Sequence, residues 1–453
     1  KTILINLLAN RMYPSSPFTS RAAQNFLRKT YWAYSDEYFS GLLKWLCTPP
    51  ANTCIRLNLL KVTRDEALHR LRQHFQGFQI VAHPEVPDVI ILFSQSSSEQ
   101  LVQKDLEVIV DVCGAEAVLR GADVFAPGIM GMQSGVQMNS EVSVFCDVAG
   151  GCKKGMATRF NGKKIHIGNG VAVQDRKTVY CSATQKGVAV LMKERLINSP
   201  CFSNLMSDII YIQNLPSVLC GHVMNPCEKD LVIDLCASPG GKTTHIASLM
   251  RGKGRVIAID KSDRKIQEVR QNANKWDLDN IFCFAFNARK IVDNNGSVPD
   301  LLSNSVPTPP FRPEIFDKVL VDAPCSGLGR RPQVVNTMAE KELFSHSKLQ
   351  KEILRNGIAL LKPGGTLVYS TCTLTTEENE EVVSWALRTN TNLSLVPIDS
   401  SLGEPGILVA ESELSSTDVG KLKRFQYQTG VEEGDFNRDT IGFFIAKFMK
   451  ASC

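Results

Sequence analysis

Two apolar runs of this 453-residue chain lead into cysteines: DKVLVDAPC, closing at Cys325, and GTLVYSTC, closing at Cys372. Each run reads as a strand, so each thiol lies just past a strand's carboxyl end. Structural cysteines usually sit within strands, whereas these two face one crevice. Paired thiols on a rim suit nucleophilic catalysis, which requires a thiol of depressed pKa. Carbon 5 of cytosine is one atom that needs such help, being too weak a nucleophile to accept a methyl group unaided. A thiolate added at carbon 6 makes carbon 5 enamine-like. After methylation the carbon 5 proton leaves and the thiolate is expelled, a release that a second thiol can assist. A base treated in this way must first leave its stack.

A third motif supplies a ligand loop. The run LVIDL is followed by Cys236-Ala237-Ser238-Pro239-Gly240-Gly241-Lys242 and then at once by a helical pattern. The glycines let backbone approach a ligand, and the helix start offers N–H groups to a carboxylate or phosphate. A P-loop would need glycine at position 236, where cysteine stands, and G-x-G-x-x-G is absent. Asp260 ends the next strand, 19 residues after Gly241. That is the distance at which a Rossmann-type acid holds ribose hydroxyls, the rival reading being a cap for the following helix. Ribose recognition without a dinucleotide loop favours S-adenosylmethionine.

These residues must be positioned by the elements around them. From Leu231 onward, LVIDLC, RVIAID, IFCFAF, DKVLVDAP and GTLVYSTC alternate with helical stretches at 242–250, 262–274, 341–361 and 377–388. The alternation predicts a doubly wound parallel sheet, an α/β Rossmann-like fold, with ligands at the carboxyl ends of its strands. Residues 294–313 are polar and Pro-rich and read as a surface loop. Upstream, residues 21–45 carry a helical apolar repeat, and 48–62 read as a turn followed by a strand. The run LEVIVDVCGAEAVLR leads into GADVFAPGI, and EVSVFCDV alternates like a half-buried strand. Closely spaced glycines follow, which suggests a small β barrel or sandwich. Between Lys153 and Arg195 ten Lys or Arg face two acids, more positive charge than the +5 of the whole chain. So much charge on one small module points to a phosphate backbone.

Composition narrows the class. Apolar residues make up 43% and charged residues 21%, which excludes a mainly disordered or collagen-like chain. No window approaches a membrane span. TILINLLA (2–9) is too short for one and lacks a basic leader and cleavage site, so it is not read as a signal peptide. The 14 cysteines contain no C-x-x-C pair, so no metal site is expected. They read as thiols of a reduced, cytoplasmic protein, a nuclear one being the alternative.

At these motifs the chain resembles a known family. LDLCASPGGKTTH, DAPCSG, YSTCTLTTEENE and the closing GFFIAKF are similar to motifs of the NOL/NOP/Sun (NSUN) RNA 5-methylcytosine methyltransferases, and CIRLN (54–58) to their N-terminal subdomain. The resemblance implies that Cys372 is the nucleophile, that Cys325 aids product release, and that Asp322 lies between methyl donor and base. It places S-adenosylmethionine on Cys236, Ala237, Ser238, Pro239, Gly240, Gly241, Lys242, Asp260, Asn287 and Asp322. Asn287 stands where the family usually has an acid; its side-chain carbonyl can still accept from an adenine amino group. Ser238 replaces the more usual Ala.

The basic module, through AVLRGADVFAPGI and from CKKG to IGNG, resembles a PUA domain, which marks the PUA-bearing member of the family. The implied architecture is an N-terminal α+β subdomain (1–104), an inserted β-rich PUA domain (105–197) and the catalytic domain (198–453). The implied partner is RNA, with tRNA, its acceptor end and CCA tail foremost and messenger RNA second, bound by a monomer. Arg120, Gly121, Lys153 and Lys154 are candidate RNA contacts. Phe125 could stack on a base, with a core position as the stronger reading. The rival function is an RNA-binding protein with a degenerate methyltransferase domain.

Overall fold

A computed structural model describes residues 13–95, 101–181, 186–202, 205–293, 306–410, 412–431 and 435–452. The opening TILINLLA and residues 294–305 of the Pro-rich insertion lie outside the described residues. Among those described, no helix is long and apolar enough to cross a membrane.

The strands form three sheets. The largest has eight strands, in the order Ile281–Ala285, Arg255–Asp260, Leu231–Asp234, Phe316–Asp322, Leu361–Thr371, Phe443–Lys450 and Leu393–Leu395, with Lys423–Phe425 also paired to Phe443–Lys450. The first five run parallel, and Phe443–Lys450 returns antiparallel. The doubly wound expectation therefore holds, with the closing GFFIAKF motif as an antiparallel late strand. Strand order reverses between Leu231–Asp234 and Phe316–Asp322, and a crevice opens at such a switch point. Both faces of the sheet are covered, which is why its central strands are apolar throughout.

The expected helices form at Gly241–Leu249, Asp263–Lys275, Glu340–Leu360 and Glu380–Thr389. Ser262 caps the second, accepting from the Lys265 N–H. The last begins three residues later than the sequence pattern suggests, because Glu377–Asn379 form a turn that buries Glu378. The single helical repeat of residues 21–45 resolves into Arg21–Thr30 and Asp36–Cys47, split where Ser35 caps the second by accepting from the Tyr38 N–H. In the Pro-rich insertion, Phe311 is not a surface residue: it is 1% exposed and packs edge-on against Phe316.

Residues 106–195 carry a six-stranded sheet, Val124–Phe125, Val188–Arg195, Lys164–Ala172, Glu141–Asp147, Leu106–Val110 and Ile129–Met132 in order, around its own core. The third sheet is antiparallel and has four strands; Asn52–Leu57, from the CIRLN segment, lies between Val89–Phe93 and Ile210–Ile212. The chain thus returns to the N-terminal sheet after the β module. Arg56 of this sheet is fully buried between the rings of Tyr211 and Trp276 and donates to the Thr244 hydroxyl at 2.9 Å. Asp88, at the start of the neighbouring strand, bridges His222 (2.7 Å) and His245 (2.8 Å). Both contacts dock the N-terminal sheet on the helices flanking the ligand loop.

The N-terminal helices dock elsewhere. Leu27, Tyr31, Leu42 and Leu46 form one core with Leu374, two residues past Cys372. Behind that segment Arg424 and Glu380, both 0% exposed, pair at 2.8 Å, and Arg424 also donates to the Leu374 carbonyl. Breaking a buried pair strands the surviving charge. Glu380→Ala is therefore expected to cost about 3–5 kcal/mol, read as a fall in the urea midpoint; an unchanged midpoint would refute the assignment.

Candidate active site

The strand pairing that matters most aligns Asp322 with Ser370. The two strands then release their following residues side by side, and Cys325 Sγ and Cys372 Sγ stand 3.4 Å apart. Asp322 accepts from Ser370 Oγ at 2.7 Å and from Lys242 Nζ at 2.8 Å. Lys242 belongs to the ligand loop, so this ion pair joins that loop to the cysteine strands. The Cys372 carbonyl accepts from the Gly329 N–H at 3.0 Å, which ties the two cysteine loops together.

The thiols around this crevice are not equivalent. Burial pushes Cys220 up to about 12 and, with Asp234, Asp322 and Asp260 nearby, holds Cys236 well above the ordinary thiol value. Cys325 is raised well above it by its hydrogen bond to Cys372 and by burial. Cys372 alone is lowered, first by the hydrogen bond from Cys325 and then by Lys242 and Arg330, against burial and Asp322. The two sulfurs share one hydrogen bond, and the positive charges of Lys242 and Arg330 favour the thiolate form at Cys372, the form that covalent catalysis needs.

The ligand loop is rigidly held. The Ala237 N–H donates to the Ile259 carbonyl at 2.9 Å, and Asn272 Nδ2 to the Pro239 carbonyl at 2.7 Å. Gly240 has φ +106°, and a Cβ there would press on Val269. That positive φ is where glycine is required. Asp234 underlies the loop, accepting from Thr243 Oγ1 at 2.7 Å and from the Cys236 N–H at 3.2 Å.

The donor set fits S-adenosylmethionine. The first turn of Gly241–Leu249 presents N–H groups that have no intrahelical acceptor and suit a carboxylate. Asp260 stands at its strand end with one oxygen accepting from the Ser262 N–H at 3.1 Å. The helix cap itself is Ser262, so the rival reading of Asp260 as that cap does not hold. Asn287 Oδ1 accepts from the Arg289 N–H at 3.1 Å, and a carbonyl oxygen has a second lone pair for an amino group.

The family model described as 16S rRNA methyltransferase RsmB/F matches residues 221–449. The human tRNA (cytosine(72)-C(5))-methyltransferase NSUN6 is 38% identical over 439 residues, covering 92% of each chain. A tRNA (cytosine(72)-C(5))-methyltransferase from Pyrococcus horikoshii is 30% identical, over 92% of this chain and 94% of that one. The chain belongs to the RsmB/F (NOL1/NOP2/Sun) family. It is an S-adenosylmethionine-dependent RNA cytosine-C5 methyltransferase. The crystal structure of NSun6 from P. horikoshii with SFG has a TM-score of 0.74 at 28% identity, covering 97% of this chain and 100% of that one.

The methyltransferase's β module lies beside the crevice. The Glu116 carboxylate accepts from the Val334 N–H at 3.0 Å, and the charge of Arg330 acts on Cys372 as well as on Glu116 and Arg120. Of the candidate RNA contacts, Arg120, Lys153 and Lys154 are exposed. Phe125 is 47% exposed, so the core reading favoured from sequence is replaced by a surface one. Lys154 Nζ donates to the Pro127 carbonyl at 2.7 Å, which brings it beside the turn after Phe125. Gly121, expected near RNA, is instead buried at φ +102°; a Cβ would lie 2.5 Å from the Pro200 carbonyl oxygen, so its role is packing.

Sequence reasoning missed Arg56, whose partners come from distant segments, and Glu378, which joins Ser326 and Gln350 to its own turn. It also assigned nothing to Asp234, although its place before the Cys236 loop was visible. Burial raises the Asp234 carboxyl to about 7, against about 3.9 in an unfolded chain. Between those values the unfolded chain releases a proton that the folded one keeps, so this group's stabilisation is full below about pH 4 and lost as pH rises to 7. Asp234→Asn should gain stability relative to wild type from pH 4.5 to 7.5 in urea unfolding; a constant difference would refute the assignment.

Proposed function

We propose that the enzyme methylates carbon 5 of a cytosine at the acceptor end of tRNA, at position 72 as the names of its human and archaeal relatives state for those proteins. The observation that carries the reading is the unequal thiol pair beside the Lys242–Asp322 ion pair. In this mechanism Cys372 Sγ adds to carbon 6 of the flipped-out base and carbon 5 gains nucleophilic character. S-adenosylmethionine, when bound, supplies the electrophilic methyl group. Asp322, fixed by Lys242 and Ser370, orients the base against the donor side of the crevice. The carbon 5 proton then passes to solvent, its bonding pair re-forms the carbon 5–carbon 6 double bond, the carbon 6–sulfur bond breaks with its electron pair returning to Cys372, and Cys325 assists this release. Cys236 to Lys242, Asp260 and Asn287 hold the cofactor.

The β module is read as a PUA domain that grips the acceptor stem and CCA tail through Arg120, Phe125, Lys153 and Lys154. The enzyme works as a cytoplasmic monomer, with messenger RNA as a second substrate class. The reading is tested by methyl transfer from labelled S-adenosylmethionine to a tRNA transcript. Wild type should form 5-methylcytosine at position 72, Cys372→Ser should form neither product nor adduct, and Cys325→Ser should accumulate a slowly released protein–RNA adduct. Full activity of Cys372→Ser would overturn the mechanism. Neutralising Lys153 and Lys154 together should weaken RNA binding and reduce the slope of log affinity against log salt by about 2, if each meets one phosphate. An unchanged slope would remove them from the interface.

A further inference from the structure

Glu378 is wholly buried, and its carboxylate lies between the two cysteine loops. On the Cys325 side it accepts from the Ser326 N–H at 2.9 Å and from the Ser326 hydroxyl. On the Cys372 side the hydroxyls of Thr373 and Thr375 lie 3.4 and 3.1 Å from Oε1, the oxygen that also accepts from the Ser326 hydroxyl. Gln350 Nε2 donates to it at 2.8 Å and also to the carbonyl of Pro324, the residue before Cys325. Ser326 and Thr373 are hydrogen-bonded to each other at 2.7 Å. These contacts tie the Glu378 carboxylate to both cysteine loops at once.

Charge is distributed unevenly around the thiols. Lys242 and Arg330 face Cys372, with Asp322 opposing them, whereas the charge beside Cys325 is Glu378. Burial raises Tyr369, Cys220 and Cys236 nearby, and it also raises the Glu377 carboxyl beside Glu378. The geometry points to Glu378 as the positioning residue that assigns the two thiols their roles, holding Cys325 as the S–H donor and leaving Cys372 as the nucleophile. Both sulfurs stand at strand ends, 3.4 Å apart, so their surroundings must tell them apart. The Glu378 carboxylate, bonded to the residue after Cys325, stands on one side of the pair and Lys242 on the other.

This inference deepens the proposed mechanism and rests on its thiol chemistry, but its test needs no RNA. Each thiolate of the full-length protein displaces iodide from iodoacetamide to form a thioether, and peptide mapping reads the Cys372-to-Cys325 labelling ratio across pH. Glu378→Gln should reduce that ratio about tenfold near neutrality, equivalent to one pKa unit. Thr373→Val, which removes one donor but keeps the charge, should leave it near the wild-type value. In the RNA assay Glu378→Gln should lower kcat more than KM. Glu378→Asp, which keeps the charge, should restore most of the ratio and covers the case in which Glu378→Gln fails to fold. A wild-type ratio in Glu378→Gln, or an equal loss in Thr373→Val, would overturn the inference. Failure of the wild-type enzyme to methylate tRNA would instead strike the proposed function and leave the labelling result standing.

Discussion

The site depends on the register between Phe316–Asp322 and Leu361–Thr371. Parallel pairing sets Asp322 opposite Ser370 and lets both strands end at the same level of the sheet. A slip of one residue would turn every side chain of a strand to the other face. Asp322 would then lose Ser370 and Lys242, and the sulfurs would separate. The register is held by apolar packing on both faces: Val319, Val321, Leu367 and Tyr369 belong to one core, Leu320 and Val368 to the other. Core burial thus fixes the distance between two thiols that belong to neither core's interior.

On that frame the chemistry is a matter of charge placement at short range. Lys242 comes from the ligand loop, Arg330 from the segment after Cys325, and Glu378 from the turn after Cys372. The N-terminal segments brace these pieces from behind. Arg331 runs between the ring of Trp45, 4.2 Å away, and the carboxylate of Asp439, and donates to the carbonyls of Trp45 and Thr48. A site built from three loops needs such support, because each loop alone lacks the contacts to hold its geometry.

Much of this was legible because the chemistry-bearing residues stand at the ends of strongly patterned strands. Cys325, Cys372, Asp260 and the Cys236–Lys242 loop were located by the end of an apolar run, and the parallel sheet followed from strand–helix alternation. Legibility failed where a residue's environment comes from elsewhere in the chain. Phe125 sits in an apolar-looking run, yet its two-residue strand lies at the edge of its sheet and leaves the ring exposed. Phe311 sits in a Pro-rich stretch, yet it is buried. Gly121 looked like a loop glycine open to a ligand, and its environment is the Ser199–Pro200 backbone some eighty residues away.

The sequence by itself determined the fold class and the places of the ligand loop and the two strand-end cysteines, since periodicity and short-range spacing encode strands, helices and the residues that follow them. Only the tertiary structure decided what surrounds the two thiols. Lys242, Arg330, Asp322 and Glu378 come from separate segments, and the field of a charge depends on distance through space, which linear order does not contain.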